Sequence, residues 1–201
     1  MEEQILAYPL GESIYLNVTN RCTNDCLFCI RRTKEGLGSY ELWLKKEPDL
    51  DELLEAAGDI RSFREVVFCG YGEPLVRAGL VVEAARALKK QGAKIRINTN
   101  GQADLIHGRN ISSELAGLVD VVSISLNTAD PSQYVEICQP QYSEEAHSAL
   151  MGFIVESKKH IPTVILTAVT WPGVDMVRCR EVAQKLDVEF RMRRLSGTFT
   201  P

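Results

Sequence analysis

The sequence predicts an α/β fold, a single-domain partial (β/α)6 barrel with parallel strands. Six strand-like runs alternate with helix-like runs along 201 residues, and no change of composition divides the chain. Several of the strands carry polar residues on one face and apolar residues on the other. Alternating strands and helices are typical of parallel sheets with right-handed crossovers, and the length suits one domain covering residues 1–201.

Each element follows from its local pattern. Dense β-branched residues predict the strands Ser13–Val18, Glu65–Cys69, Lys94–Thr99, Asp120–Leu126, Val164–Thr170 and Val188–Arg193. Apolar residues at i, i+3 and i+4 predict the helices Leu50–Phe63, Gly79–Gln91, Ser112–Leu118, Glu144–His160 and Asp175–Leu186. Ser112 and Asp175 are residue types that favour the N-cap position. The alternation alone fits either an open doubly wound sheet or a partial barrel.

The polar strand faces favour the partial barrel. Parallel strands buried on both faces are normally continuous apolar runs. Here one face carries Tyr15, Asn17, Lys94, Arg96, Asn98, Asn100, Ser123, Ser125, Asn127, Arg191 and Arg193. A polar interior is costly unless something hydrogen-bonds to it, so we expect an open barrel whose inner face binds polar ligands. For any single arginine, a position at a strand end in water remains an equal alternative.

Composition excludes several classes of protein. The net charge of −4 disfavours binding to nucleic acid through a basic surface. No apolar run approaches the roughly 20 residues of a membrane span, and the first residues lack the pattern of a signal peptide. Six cysteines without an export signal indicate a reducing cytoplasmic location. Cys69, Cys138 and Cys179 are isolated and are expected to pack in the core.

Three closely spaced cysteines, Cys22, Cys26 and Cys29, predict a metal centre. Cubane iron–sulfur clusters are normally held by four thiolates, so three leave one iron open to a small molecule. A helix with three buried sulfurs, a zinc site and a disulfide framework are the alternatives. Turn-forming neighbours disfavour the helix, and the distant histidines offer no nearby fourth zinc ligand. A disulfide framework would need an exporting context.

A glycine-containing turn follows the second predicted strand, in the sequence Gly70-Tyr-Gly72-Glu73-Pro74. Ligands of β/α folds gather at this carboxyl edge of the strands. Glycine allows close backbone approach, proline stiffens the turn, and Glu73 adds a negative charge. An ordinary tight loop is the alternative interpretation.

These residues resemble the radical S-adenosylmethionine (SAM) enzymes. The family motif Cys-x3-Cys-x-aromatic-Cys is matched by Cys22, Cys26, Phe28 and Cys29. The family's Gly-Gly-Glu-Pro element is similar to Tyr71-Gly72-Glu73-Pro74, with tyrosine in place of the first glycine. The resemblance implies a six-unit partial TIM-like barrel, which agrees with the strand count, and a [4Fe–4S] cluster with SAM as cofactors.

The resemblance also implies roles for individual residues. Three irons would be held by Cys22, Cys26 and Cys29, and Phe28 would lie beside the adenine. Either Glu73 or nearby backbone carbonyls would accept hydrogen bonds from the SAM ammonium. The expected cofactor-binding residues are Phe28, Gly72, Glu73, Pro74, Asn98, Asn100, Ser123, Ser125 and Asn127, the last three contacting the ribose. Reductive cleavage of SAM would yield a 5′-deoxyadenosyl radical that removes hydrogen from a substrate.

The substrate and partners are less defined. Arg96, Arg191 and Arg193 suggest an anionic small molecule or nucleotide-like substrate, since guanidinium binds carboxylate and phosphate; ion pairs within the barrel are the alternative. The stretch Gly38–Leu44 with Glu47 and Pro48 resembles the TatD-associated radical SAM proteins, which implies a TatD-type hydrolase as partner. An electron donor such as flavodoxin or ferredoxin is also implied.

The sequence is compatible with three functions and with more than one role for the connection after the cysteines. The alternatives to a metabolite enzyme are an activase that makes a glycyl radical on a partner protein and a cluster-binding electron carrier or sensor. The connection Ile30–Pro48 is either a surface link or a lid or docking surface, because long connections are often functional.

Overall fold

The computed structural model describes residues 4–33, 36–38 and 40–195 and contains one seven-stranded sheet. The strands are β1 Ala7–Leu10, β2 Ser13–Leu16, β3 Glu65–Phe68, β4 Ile95–Thr99, β5 Val121–Ser125, β6 Thr163–Val169 and β7 Glu189–Arg193. The helices are α1 Leu50–Ala57, α2 Ala78–Lys90, α3 Ala103–His107, α4 Ile111–Glu114, α5 Pro131–Cys138, α6 Glu145–His160 and α7 Met176–Lys185.

The sheet confirms the predicted fold class. The strands follow one another in chain order from β1 to β7, and every neighbouring pair from β2 onward is parallel. β1 and β7 are not paired with each other, so the barrel is open. All six predicted strands are present, each within a few residues of its expected bounds.

Three elements were not predicted. β1 pairs antiparallel with β2 through a tight turn at Gly11, where φ is 60°. Its four residues include Pro9, which cannot donate to the sheet and hides a strand pattern. α3 and α5 have 5 and 8 residues, and no predicted helix covers either of them.

Several helix boundaries differ from the sequence pattern, and α4 ends at Glu114 rather than Leu118. α1 ends at Ala57 rather than Phe63, because Gly58 adopts a positive φ of 58° and a short 3-10 turn follows. Asp175 caps α7 as expected, accepting from the nitrogens of Val177 and Arg178. Ser112 was the wrong N-cap for α4, since Asn110 accepts from the nitrogen of Ser113.

The strand registers separate a polar inner face from an apolar outer face. Outer-face residues of β2 to β6 are buried among the helices, and they include Leu16, Phe68, Ile97, Ile124 and Leu166. On the inner face, Asn98 pairs with Ser123, and Thr167 lies between Ser125 and Arg191. The open edge strand β7 has mostly exposed side chains. No helix in the described ranges is long and apolar enough to cross a membrane.

The described part of the Ile30–Pro48 connection packs against the segment that follows β2. The Asn20 amide donates to the Leu44 carbonyl at 2.8 Å and accepts from the Leu44 nitrogen at 3.0 Å. Asn17 Nδ2 donates to the Leu42 carbonyl at 2.7 Å. Leu42 and Leu44 are buried. The connection is therefore hydrogen-bonded to the segment between β2 and the cysteine loop.

Candidate cofactor site at the carboxyl edge of the sheet

The cysteine loop lies at the carboxyl end of β2 and is held by the end of α5. Its backbone runs antiparallel to the segment after α5, with a bridge between Asn24 and Pro140. The nitrogen of Asp25 donates to the Cys138 carbonyl at 3.1 Å, and the nitrogen of Leu27 donates to the Ile137 carbonyl at 2.9 Å. These bonds fix the loop to a helix that begins more than a hundred residues later.

A buried polar network supports the same loop. Thr23 Oγ1 donates to Gln102 Oε1 at 2.8 Å, and Gln102 Nε2 donates to Asn24 Oδ1 at 2.7 Å. Asn24 Nδ2 in turn donates to the Tyr134 hydroxyl at 3.0 Å. No sequence pattern singles out Gln102 and Tyr134, because each is distant in sequence from the cysteines and neither belongs to a motif.

The sulfur atoms are sheltered and have polar neighbours. Burial, aided by the charge of Glu73, raises the pKa of Cys22 to about 12. A hydrogen bond with Cys138 and burial raise the pKa of Cys26. Arg31 Nε donates to Cys29 Sγ at 3.3 Å. Because metals bind thiolates, a metal at Cys22 and Cys26 must displace their protons, so loading is expected to release protons.

The donor set, three thiols, fits an iron–sulfur cluster. Three thiols lie on one loop, and thiolates select iron–sulfur clusters, copper(I) or zinc. Among the residues the structure describes, no three cysteine, histidine or carboxylate side chains form a group able to hold one metal ion. A cubane does not require that convergence, because each thiolate binds a different iron.

The Gly70–Pro74 loop packs directly against the backbone before Cys22. A Cβ atom on Gly72 would lie 2.3 Å from the Thr19 carbonyl oxygen and 2.5 Å from that of Arg21, so only glycine fits. The nitrogen of Glu73 donates to the Arg21 carbonyl at 2.8 Å. Pro74, which is buried, begins a 3-10 turn. The two motifs therefore form one structural unit.

Glu73 lies inside this unit and is only 3% exposed. Its Oε1 accepts from the Leu75 nitrogen at 3.0 Å and from Thr99 Oγ1 at 2.8 Å. Its Oε2 accepts from the Asn100 nitrogen at 2.6 Å. Burial outweighs these bonds and raises the pKa of Glu73 to about 7. The carboxyl group thus joins the β3 and β4 loops.

Among the other residues expected to contact the cofactors, some side chains already have hydrogen-bond partners in the described part of the protein and others do not. Asn100 Nδ2 donates to Thr23 Oγ1 at 2.8 Å, and Asn127 Nδ2 donates to Cys138 Sγ at 3.4 Å. Asn98 Oδ1 accepts from Arg96 Nη1 at 2.7 Å. Ser123 and Ser125 are half-buried on the inner face, and their hydroxyls have no hydrogen-bond partner within the described part of the chain.

Aromatic rings flank the loop on both sides. Phe28 packs on Trp171, from the loop after β6, with ring centroids 5.7 Å apart. Tyr71, which stands where the motif has its first glycine, is buried and lies 5.2 Å from the Trp43 ring. Phe28 and Trp171 therefore line the side of the loop that faces β6.

The three arginines expected to bind substrate differ in their surroundings. Arg96 pairs with Glu65 at 2.8 Å, and both side chains are less than one-fifth exposed. Arg191, on the open strand β7, pairs with Glu189 at 2.8 Å in a solvent-exposed position. Arg193 is exposed on the same strand face and forms no ion pair with any described residue.

The chain is similar in sequence to a cyclase and to a cofactor-modifying protein. A probable GTP 3′,8-cyclase of Methanothermobacter thermautotrophicus is 32% identical over 143 residues, which cover 71% of this chain and 44% of the relative. A tungsten-containing aldehyde ferredoxin oxidoreductase cofactor-modifying protein of Pyrococcus furiosus is 31% identical over 126 residues, 61% of this chain and 32% of the relative. The chain thus spans less than half the length of both relatives.

Solved structures with the same fold support the architecture. SuiB of Streptococcus suis bound to precursor peptide SuiA gives a TM-score of 0.69 at 16% identity, covering 96% of this chain and 40% of that one. TYW1 with a lysine-pyruvate adduct gives 0.66 at 15% identity, covering 94% and 67%. The model of the Radical SAM superfamily matches residues 16–186, and the chain therefore belongs to that superfamily.

Proposed function

We propose that the chain is a radical SAM enzyme in which Cys22, Cys26 and Cys29 hold the [4Fe–4S] cluster that the superfamily uses. The observation that carries the proposal is the junction of the two motifs. The Gly70–Pro74 loop is bonded to the backbone before Cys22, and the polar network clamps the residues between Cys22 and Cys26. A rigid loop that carries three thiols suits a cluster with one open iron.

SAM would lie between this loop and the inner face of the sheet. The hydroxyls of Ser123 and Ser125 are free to bond a ribose, and Phe28 offers a ring beside the loop. Because three protein groups already donate to the carboxyl of Glu73, we assign the SAM ammonium to backbone carbonyls of the Gly70–Pro74 loop. The bound cofactors together supply a 5′-deoxyadenosyl radical, and the protein orients them and excludes water.

We propose a small anionic or nucleotide-like substrate. Arg193 supports this class, since it is a cation on the inner strand face without an ion-pair partner among the described residues. The names of the cyclase relatives point to the same class. An external electron donor such as a flavodoxin or ferredoxin and a TatD-type hydrolase complete the proposed partners, the latter from the resemblance of Gly38–Pro48.

The test is anaerobic reconstitution with iron and sulfide, followed by SAM and a strong reductant. We expect about four irons per chain and release of 5′-deoxyadenosine. Cys26→Ala is expected to abolish both. Cys179→Ala, which removes a buried thiol from α7, is the matched control and should retain both.

The outcome also separates the alternative functions. A loaded cluster without 5′-deoxyadenosine would favour an electron carrier or sensor, and failure to load any cluster would reject the proposal. Deuterium transfer between a labelled anionic substrate and 5′-deoxyadenosine would establish metabolite chemistry. Deuterium transfer from a partner protein's glycine instead would indicate an activase.

A further inference from the structure

Arg31 contacts a sulfur of the cysteine loop, whereas the described hydrogen bonds of the adjacent Arg32 do not. The Nε of Arg31 donates to Cys29 Sγ at 3.3 Å. Its two terminal nitrogens donate to the carbonyls of Asn20 and Asn24, each at 3.4 Å. One guanidinium group therefore contacts a sulfur and both ends of the segment around Cys22.

The surroundings of Arg31 shelter its positive charge from water, so the charge is only weakly screened. Its side chain is only 15% exposed. The guanidinium carbon lies 5.9 Å from the centroid of the Trp43 ring, which covers it on one side. The nearest carboxylate, Asp25, is 3.7 Å away and is 63% exposed, so water weakens its compensation. A sheltered cation acts on a nearby charge more strongly than one in water.

Arg32 provides a natural comparison. It is 40% exposed and pairs with Asp25 at 2.6 Å. Its described hydrogen bonds go to Asp25 and Gln139, and none goes to a sulfur. The two adjacent residues therefore carry the same charge on the same 3-10 turn, but only Arg31 reaches the thiol of Cys29.

We propose that Arg31 is a positioning residue that fixes the Cys29 sulfur and favours reduction of the cluster, an inference that rests on the proposed function. Reduction adds one electron and therefore one negative charge to the cluster and its thiolates. A guanidinium N–H bonded to a ligand sulfur stabilises the reduced form more than the oxidised form, because the reduced sulfurs carry more charge. The planar fork also holds the sulfur relative to two backbone carbonyls, which a lysine cannot do.

The experiment is an anaerobic redox titration of the loaded cluster, followed by electron paramagnetic resonance. The proteins are the unsubstituted chain, Arg31→Met, Arg31→Lys and Arg32→Met. At the midpoint potential of the unsubstituted chain, we expect Arg31→Met to lower the ratio of reduced to oxidised cluster about 10-fold, a shift of about 59 mV for one electron. Arg31→Lys should fall between, and Arg32→Met should change the ratio less than about 2-fold.

The outcomes separate this inference from the proposed function. If the unsubstituted chain takes up no cluster, the proposed function fails. If it loads normally and the potential of Arg31→Met equals that of Arg32→Met, only the role of Arg31 fails. If Arg31→Met takes up no cluster, the midpoint potentials of Arg31→Lys and Arg32→Met are compared instead. Equal potentials would again contradict the role of Arg31. If no Arg31 variant loads while Arg32→Met does, Arg31 has a purely structural role and the inference is overturned.

Discussion

The backbone nitrogen of Asn100 lies 2.6 Å from Oε2 of Glu73 and donates a hydrogen bond to it. This contact joins the loops that follow β3 and β4, and the other carboxyl oxygen binds Thr99 and Leu75. A residue that the motif alone placed beside the cofactor therefore serves to hold the edge of the barrel together. The stability of this edge can be tested at Glu73.

We expect Glu73→Gln to destabilise the fold by about 1–3 kcal/mol, the cost of a buried donor without an acceptor. The carboxylate accepts from two backbone nitrogens and one hydroxyl. An amide has only one oxygen, so its NH2 group would face a donating backbone nitrogen. The free energy of unfolding in urea measures the effect.

The matched control is Glu83→Gln, at an exposed position on α2. It should change the unfolding free energy by less than about 0.5 kcal/mol, as surface substitutions usually do. Equal stability of the Glu73 and Glu83 variants would contradict the role assigned to the buried carboxyl group.

Gly72→Ala should destabilise the protein by about 1–3 kcal/mol, the usual cost of forcing extra atoms into a packed site. The new methyl group would lie 2.3 Å and 2.5 Å from two backbone oxygens, of Thr19 and Arg21, which cannot rotate away. Because those oxygens precede Cys22, we also expect less iron bound after reconstitution. Unfolding in urea and iron analysis measure the two effects.

Gly152→Ala is the control, since a Cβ at this position of α6 meets no atom within 4 Å. Alanine favours the helix over glycine by about 0.8–1.0 kcal/mol, so this variant should be more stable than the unsubstituted chain. If both alanine variants were stabilising, the close packing at Gly72 would not hold in solution.

His147 should make a contribution to stability that is lost on mild acidification. This residue is buried, and its Nε2 has no hydrogen-bond partner within the described ranges. Burial lowers its pKa below 6.5, so the unfolded chain takes up a proton more readily than the folded one. The stabilising contribution is therefore complete above pH 6.5 and is lost as the pH falls towards the folded-state pKa.

His147→Leu removes this titrating group. Between about pH 7.5 and pH 5, the unfolding free energy of His147→Leu should rise relative to that of the unsubstituted chain measured at the same pH. His160→Gln, at the end of the same helix, is the control and should show no such relative rise. A pH profile unaffected by His147→Leu would show that the ring is hydrated in the folded state.

Arg96 is expected to matter for stability more than for substrate binding. Its pair with Glu65 is sheltered, and the hydroxyl of Tyr15 lies 3.2 Å from Nη2. Arg96→Met would leave the Glu65 charge without its main partner, at a cost of about 3 kcal/mol. Arg193→Met, on the exposed strand β7, should cost less than about 0.5 kcal/mol. Equal stability of both variants would make Arg96 available as a substrate ligand.

Local patterns account for most of the fold. The six parallel strands were predictable because β-branched runs and alternating faces depend only on neighbouring residues. The N-cap of α7 was predictable for the same reason, because Asp175 directly precedes that helix. For α4, Asn110 and Ser112 are both suitable N-cap residues, and only the course of the backbone shows that Asn110 is the cap. The strand containing Pro9 and the two short helices had no sufficient local pattern.

The location of the site was predictable from the sequence, but its hydrogen-bond network was much less so. The spacing of Cys22, Cys26 and Cys29 and the strand before Gly70 together predict a cofactor site at one edge of the sheet. They do not indicate which polar side chains are already bonded to protein. Asn24 and Tyr134 are 110 residues apart, so no local pattern links them.

The sequence by itself determined the order of the six parallel strands, the polar inner face and the family, since these depend on residue types at short spacing. Only the tertiary structure decided that Glu73 and Asn100 bind other protein groups and that Arg31 reaches a sulfur. It also decided that the hydroxyls of Ser123 and Ser125 have no partner among the described residues. The physical reason is that hydrogen-bond partners are chosen by strand register and loop packing, which bring together residues far apart in the chain.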